Sequence, residues 1–163
     1  MDRYLLLVIW IVLGLVLVGL LPLGWWRRKR RQGNLVQPLA APATLGDVMG
    51  SFGGKYVATT IAGDPLNRVA VRGLGFRGSA MLTISTDGIL LEIAGSKGAW
   101  IPLADLRGTR RATWTIDRVV EPDGMNLLEW MLGDTAVDTY LRMDDPAAVD
   151  RALATLNFER HPA

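Results

Sequence analysis

The chain of 163 residues has no cysteine and a single histidine, and both shortages exclude chemistry. Without cysteine there can be no disulfide framework, no thiolate nucleophile and no cysteine-ligated zinc site. His161 lies two residues from the C-terminus, where disorder is the default, so it cannot serve as the base of a catalytic triad. The sequence therefore predicts no catalytic residue, no metal site and no cofactor, and the protein is not expected to be an enzyme.

Basic charge is scarce outside one short cluster. The net charge of +2 and the sequence pI of about 9.3 depend on five consecutive cations, Arg27, Arg28, Lys29, Arg30 and Arg31. Residues 32–163 carry 12 basic and 15 acidic side chains, a net charge of −3. A nucleic-acid binder needs a basic face to neutralise phosphates, so no nucleic-acid partner is expected.

One glycine pattern has the spacing of a cofactor motif. Residues 73–78, Gly-Leu-Gly-Phe-Arg-Gly, match the glycines of a dinucleotide-binding loop. Such a loop must open a helix whose N-terminus faces the pyrophosphate. Here the strand pattern of residues 80–85 follows, so these glycines are interpreted as a bulge or a bent strand.

A long apolar run extends from Leu5 to Leu23 without a charged residue. As a helix it spans roughly 28 Å at 1.5 Å per residue, close to the hydrocarbon thickness of a bilayer. Only a helix satisfies its own backbone hydrogen bonds in lipid. Trp25 and Trp26 follow at the position where amphipathic rings prefer the headgroup region. Residues 1–26 are therefore predicted to form a transmembrane helix in contact with membrane lipid.

The five cations at 27–31 determine the predicted orientation. By the positive-inside rule a cluster after the apolar run stays in the cytoplasm, which puts the N-terminus outside. A cleavable signal peptide carries its charge before the apolar stretch and small residues after it. In this chain the basic cluster comes after the stretch, and residues 22–26 offer no small-residue cleavage site. The sequence predicts a single-pass membrane protein whose C-terminal domain is cytoplasmic, with the cations also touching anionic headgroups.

Residues 32–54 are rich in glycine, proline and alanine and show neither a helical nor a strand period. Together with the cations they form the predicted polybasic juxtamembrane stretch and linker, residues 27–54. If this linker is flexible, its 23 residues reach about 25–30 Å on average. The folded domain is predicted to occupy residues 55–163.

Short β-type runs separated by turn signals fill most of that domain. Thr86-Asp87-Gly88 and Gly133-Asp134 are typical of tight hairpins. Asp145-Pro146 then predicts a helix start, with Val149, Leu153 and Leu156 on one face of the helix. The predicted fold is a β-rich barrel of about seven strands closed by a C-terminal helix. Its core is expected to include Leu91, Trp114, Trp130 and Leu153.

Several short elements support a more specific interpretation through their order and spacing. They are residues 54–60, 73–77, 101–102, 119–121, 130–134 and 138–139 followed by Arg142. On these elements the chain resembles small actinobacterial membrane proteins with one N-terminal span and a bacterial pleckstrin-homology-like (PH-like) domain, often labelled export or transporter proteins. The family usually has glycine and an aromatic residue after the Asp-Thr pair, where this chain has Tyr140-Leu141. The resemblance implies a PH-like barrel in the plasma membrane of a bacterium, and no catalytic residues.

Two groups of arginines are candidates for binding an anionic ligand. Arg68, Arg72 and Arg77 flank the glycine-rich bend, and Arg107, Arg110 and Arg111 follow Ile101-Pro102. In PH domains that bind inositol phosphates, basic residues near the first hairpin hold the headgroup, and arginine suits bidentate phosphate contact. The alternatives are a solvated surface or a protein contact.

The leading functional hypothesis is a non-enzymatic, membrane-tethered PH-like interaction module at the inner leaflet, with a protein partner whose identity the sequence does not indicate. One alternative is a sensor of anionic lipid or of a phosphorylated ligand that uses the arginines. Another is an accessory subunit of a membrane export or transport complex, in which the N-terminal helix packs against other helices.

Overall fold

The computed structural model describes residues 8–14, 16, 18–19, 35–70, 73–112, 114–115, 118–119 and 124–156. The chain divides into two compact units, Met1–Asn34 and Leu35–Ala163. The predicted interface tryptophans Trp25 and Trp26, the cations at 27–31 and Arg72 lie outside the described residues.

The first unit is helical wherever it is described, at residues 8–14, 16, 18 and 19. The large apolar side chains of this segment are exposed. Within the described part of the chain, no helix combines the length and the apolar character that crossing a bilayer requires.

The second unit is built on an antiparallel sheet. Its strands are β1 (Val48–Ile61), β2 (Asp64–Arg68), β3 (Gly78–Ser85), β4 (Gly88–Ile93), β5 (Ala99–Pro102), β6 (Leu106–Ala112), β9 (Met125–Leu132) and β10 (Thr135–Met143). Two short strands, β7 (Trp114–Thr115) and β8 (Arg118–Val119), pair separately. The main sheet has the order β5-β4-β3-β1-β10-β9-β6, with β2 paired to β1. This architecture confirms the predicted β-rich domain.

Strand β1 joins the two halves of the sheet. Its first part pairs with β3 and its second part with β10, and the two pairings overlap around Gly54. A Cβ at residue 54 would lie 2.6 Å from the carbonyl oxygen of Arg142, so glycine lets β10 approach closely there. Because β1 begins at Val48, the expected domain start at Lys55 falls inside a strand, and residues 48–54 belong to the sheet and not to a linker.

Residues 35–47, called the strap below, also contact the sheet. Leu39 forms a β-bridge with Trp100 of β5, and the Trp100 amide donates to the Leu39 carbonyl over 2.8 Å. Val36 lies against Gly133 in the β9–β10 turn, at the near end of the strap. At its far end the carbonyl of Asp47 accepts from the Thr86 amide over 3.1 Å. The strap, predicted as part of the linker, is therefore docked on the domain.

The C-terminal helix, α1 (Pro146–Ala154), begins as the sequence predicts. Asp145 is its N-cap and accepts a hydrogen bond from the Ala148 amide over 2.9 Å. Val149 and Leu153 are buried on the inner face of α1.

One core cluster draws side chains from seven strands and from α1, so the sheet curls around it. Leu91, Trp130 and Leu153 are buried in that core, as predicted. The side chain of Trp114 lies outside the described part of the structure.

Candidate functional site

The second group of candidate arginines, Arg107, Arg110 and Arg111, does not form one cationic patch. Neighbouring residues of a strand point to opposite faces of the sheet. Arg110 Nη2 lies 2.5 Å from Glu129 Oε1 on one face of β6. Arg111 Nε lies 2.6 Å from Asp150 Oδ2 of α1 on the other. Both guanidinium groups are therefore already paired with carboxylates.

The first group of candidate arginines, Arg68, Arg72 and Arg77, is spread in sequence between β1 and β3. Arg68 ends β2, and its Nη2 donates to the Val57 carbonyl over 3.1 Å. Arg77 directly precedes β3. In the other group, Arg107 is half-buried beside a register shift of β6. The structure thus places the described arginines at separate points of the sheet.

A buried chain of hydrogen bonds crosses the core beside this connection. The Trp130 indole donates to the Thr139 hydroxyl over 2.9 Å, and that hydroxyl lies 2.9 Å from the Thr59 hydroxyl. The Tyr56 hydroxyl lies 2.9 Å from the Thr59 hydroxyl and 2.8 Å from the Leu74 carbonyl oxygen. A carbonyl can only accept, so Tyr56 donates to Leu74. The chain of contacts runs from Trp130 through Thr139, Thr59 and Tyr56 to Leu74.

This chain of bonds fixes one position of the glycine-rich loop, residues 73–77. Leu74 is buried in the core, held there by its carbonyl bond to Tyr56. Gly73 has φ +86°, and Gly75 lies against the backbone of Ala70, where a Cβ would sit 2.9 Å from its carbonyl oxygen. Gly73 and Gly75 serve a tight bend that lies between strands and leads into β3, so they form neither the predicted bulge or bent strand nor a loop that opens a helix.

The same loop leaves a large apolar side chain in solvent. Phe76, two residues after the anchored Leu74, is 86% exposed. Leu66 on β2, in the same β1–β3 connection, is 67% exposed. Sequence reasoning missed Phe76 and Leu66 as exposed residues. From the sequence, an apolar residue such as Phe76 looks as suited to the core as Leu74. These two exposed side chains make the β1–β3 connection (residues 62–77, of which 71 and 72 lie outside the described residues) the candidate contact surface.

A second feature that sequence reasoning missed is a group of ionisable residues on the outer face of the sheet. Asp138 of β10 lies directly opposite Glu129 of β9, and Tyr140 follows on the same face. Burial raises the pKa of Asp138, and the negative charge of Glu129 raises it further. Burial also raises the pKa of Tyr140. Asp138 and Tyr140 alternate with the core residues Val137 and Leu141 and so face outward, but nothing in the sequence indicated that this outward position is covered.

Comparison with known proteins gives a family for residues 35–157 and no individual relative. A family model described as Bacterial PH domain-like matches residues 35–157. Neither the curated proteins nor the solved structures contain a match to the chain. Among the described residues, no group of three or more histidine, aspartate or glutamate side chains could hold a metal ion.

Proposed function

The chain belongs to the bacterial PH domain-like family, and we propose that it is a non-enzymatic interaction module tethered to the cytoplasmic face of the plasma membrane. In this proposal the domain binds a protein partner through the β1–β3 connection. The observation that carries it is the exposure of Phe76 two residues after Leu74, which is anchored in the core.

The anchoring matters because an isolated exposed apolar residue is common on protein surfaces. A mobile loop could fold such a side chain back onto the domain. Here the bond from Tyr56 to Leu74 and the packing of Gly75 on Ala70 hold the backbone directly before Phe76, and β3 begins two residues after it. Phe76 is therefore presented at little further entropic cost to a partner, and aromatic residues are common centres of binding energy.

The N-terminal segment supports the membrane tether. Its described helical residues expose apolar side chains that include Ile9, Trp10 and Val16. A helix that is apolar on all sides is stable only when lipid or other protein covers it. The run from Leu5 to Leu23 and the cations after it suit a span with the domain on the inner side.

Charge favours a protein over an anionic lipid as the partner. The residues after the basic cluster carry a net charge of −3, which a negative leaflet repels. Arg110 and Arg111 are paired with Glu129 and Asp150, so a phosphate would have to displace a carboxylate at either position. An anionic-lipid sensor remains a second candidate because Arg77 adjoins the exposed Phe76, and membrane-contacting surfaces combine cations with aromatic side chains.

Affinity capture from native membranes tests the proposed surface. The full chain with Leu66→Ser and Phe76→Ser is compared with wild type and with Met81→Ser, an exposed apolar residue of β3 outside the connection. We expect wild type and the Met81 control to retain the same protein, and the double variant to recover about tenfold less of it. Equal recovery by all three chains would remove the β1–β3 connection as the binding surface.

Liposome sedimentation distinguishes the two candidates. Residues 35–163 are mixed with neutral and with anionic liposomes, and Arg68, Arg72 and Arg77 are replaced together in a parallel sample. We expect weak binding that the replacement barely changes. Tight, salt-sensitive binding to anionic liposomes that the triple replacement abolishes would favour the lipid sensor.

A further inference from the structure

Strand β1 changes its neighbour at the point where the β1–β3 connection lies against it. Strand β10 pairs with one side of β1 throughout this region. On the other side, the pairing with β3 ends at Tyr56, opposite Gly78, and the pairing with β2 begins at Thr60, opposite Arg68. Among the described residues, positions 57–59 of β1 therefore have no strand paired to them on that side. Below, these three residues are called the gap.

Two backbone carbonyls of the gap accept hydrogen bonds from the β1–β3 connection. The Val57 carbonyl accepts from Arg68 Nη2 over 3.1 Å, and the Thr59 carbonyl accepts from the Val69 amide over 2.8 Å. Val69 is fully buried in the core. Buried backbone carbonyls need donors, and elsewhere along β1 a neighbouring strand supplies them. In the gap, the side chain of Arg68 supplies one of these donors.

The glycine-rich loop is attached to β1 at the residue before the gap. The Tyr56 hydroxyl donates to the Leu74 carbonyl over 2.8 Å, and the Leu74 side chain is buried in the core. Tyr56 directly precedes Val57, which accepts the bond from Arg68. The two attachments of the β1–β3 connection therefore end on adjacent residues of one strand.

These attachments fix the two exposed apolar side chains relative to each other. Leu66 lies two residues before Arg68, and Phe76 lies two residues after Leu74. Ten residues separate Leu66 from Phe76, but each is held close to the same short piece of β1. A partner that contacts both side chains then has less freedom to remove on binding than it would have with two independent segments.

We propose that Arg68 is a positioning residue of this contact surface and not a residue that binds an anion. It holds β2, and with it Leu66, in a fixed place beside the loop that carries Phe76. This inference rests on the proposed function, because it concerns the same surface.

The guanidinium group of Arg68 is poorly placed for a phosphate. Both bidentate geometries of a guanidinium use Nη2 or Nε. Here Nη2 already donates to the Val57 carbonyl, and Nε is buried. A phosphate that took both donors would have to remove Arg68 from the gap, and the Val57 carbonyl would lose this bond.

Hydrogen exchange of the full chain in detergent micelles tests whether Arg68 closes the gap. Arg68→Met retains most of the apolar stem and removes the donors, whereas Arg68→Lys restores a donor at the end of the side chain. We expect the Val69 amide to exchange about tenfold faster in Arg68→Met than in wild type, and at an intermediate rate in Arg68→Lys.

Two controls separate this local effect from general loosening. The Trp100 amide, bonded to the Leu39 carbonyl at β5, should exchange at the wild-type rate in every variant. Arg142→Met, which replaces an exposed arginine of β10, should leave the Val69 amide unchanged.

Affinity capture from native membranes tests whether the position matters for binding. Arg68→Met leaves Leu66 and Phe76 in the chain, yet we expect it to recover about fivefold less of the protein that wild type retains. The reason is that the partner must then order β2 as it binds. Arg68→Lys should recover an intermediate amount, and Arg142→Met as much as wild type.

Two results would overturn the inference. One is Val69 exchange that Arg68→Met leaves unchanged, or that rises only together with Trp100 exchange, since Arg68 would then not hold this part of the sheet. The other is equal recovery by wild type and Arg68→Met when the combined Leu66→Ser and Phe76→Ser variant loses the protein. If that combined variant recovers as much as wild type, the proposed function fails instead, and Val69 exchange still decides the role of Arg68.

Discussion

Arg110 and Arg111 are adjacent in β6, yet their side chains form ion pairs on opposite faces of the sheet. Arg110 reaches Glu129 of the neighbouring strand, whereas Arg111 reaches Asp150 of α1. The Arg110 side chain of the first pair is 61% exposed, and ion pairs with an exposed partner contribute little to stability. The second is part of a network that attaches the helix, because Asp150 Oδ1 also accepts from Asn126 Nδ2 over 2.7 Å.

Removing Asp150 should weaken the attachment of α1. Asp150→Ala leaves the buried Asn126 amide without one acceptor and Arg111 without its carboxylate. We expect a loss of about 1–3 kcal/mol in the free energy of unfolding, measured by urea titration. Arg151→Ala, its exposed neighbour in the same helix, should change this value by less than about 0.5 kcal/mol. Equal effects of the two substitutions would mean that the network does not hold the helix.

The strap and the first half of β1 should together be required for a stable domain. A chain of residues 55–163 lacks the strap and also residues 48–54, which pair with β3. We expect residues 35–163 to unfold cooperatively and residues 55–163 to be insoluble or to lack a cooperative transition in thermal circular dichroism. Matching transitions for the two chains would show that neither the strap nor residues 48–54 add stability.

Alkaline pH should destabilise the domain through Tyr56. Burial raises the pKa of Tyr56 to about 12 from its ordinary 10.0, so the folded state resists ionisation that the unfolded chain accepts. The stabilisation is complete below pH 10, the unfolded value, and is lost as the pH rises toward 12. The loss should be about 2–3 kcal/mol.

Unfolding titrations at increasing pH measure this loss, with tyrosinate absorbance as the second signal. Tyr56→Phe should lower stability at neutral pH by about 1–3 kcal/mol, because the Leu74 carbonyl loses its donor. The same variant should show a smaller fall above pH 10. An identical alkaline fall in the variant would assign the effect to another tyrosine.

The proposed topology predicts the behaviour of whole cells. Protease added outside intact cells should leave the domain uncut, and a reporter fused after Ala163 should behave as cytoplasmic. Replacing the cations at 27–31 by neutral residues should scramble the orientation, because the excess of positive charge on one side directs insertion. External cleavage of the wild-type domain would contradict the topology.

Local features of the domain were predictable from neighbouring residues. The helix start at Asp145-Pro146 depends on the Asp145 side chain, which accepts a hydrogen bond from the backbone amide of Ala148. The turns at Asp87 and Gly133 depend on the backbone preferences of the turn residues themselves. Strand alternation likewise predicted Leu91 inside. Each of these depends on residues a few positions apart in the chain.

The sequence by itself thus determined the β-rich class, the closing helix and its cap, because those follow from short-range backbone preferences and periodicity. Only the tertiary structure decided that the glycine- and proline-rich strap docks, since its contacts at Trp100 and Gly133 come from distant parts of the chain. The same holds for Leu74 and Phe76, equally apolar, of which one is buried and the other exposed. Burial depends on which remote residues cover a side chain, and the neighbouring sequence does not identify those residues.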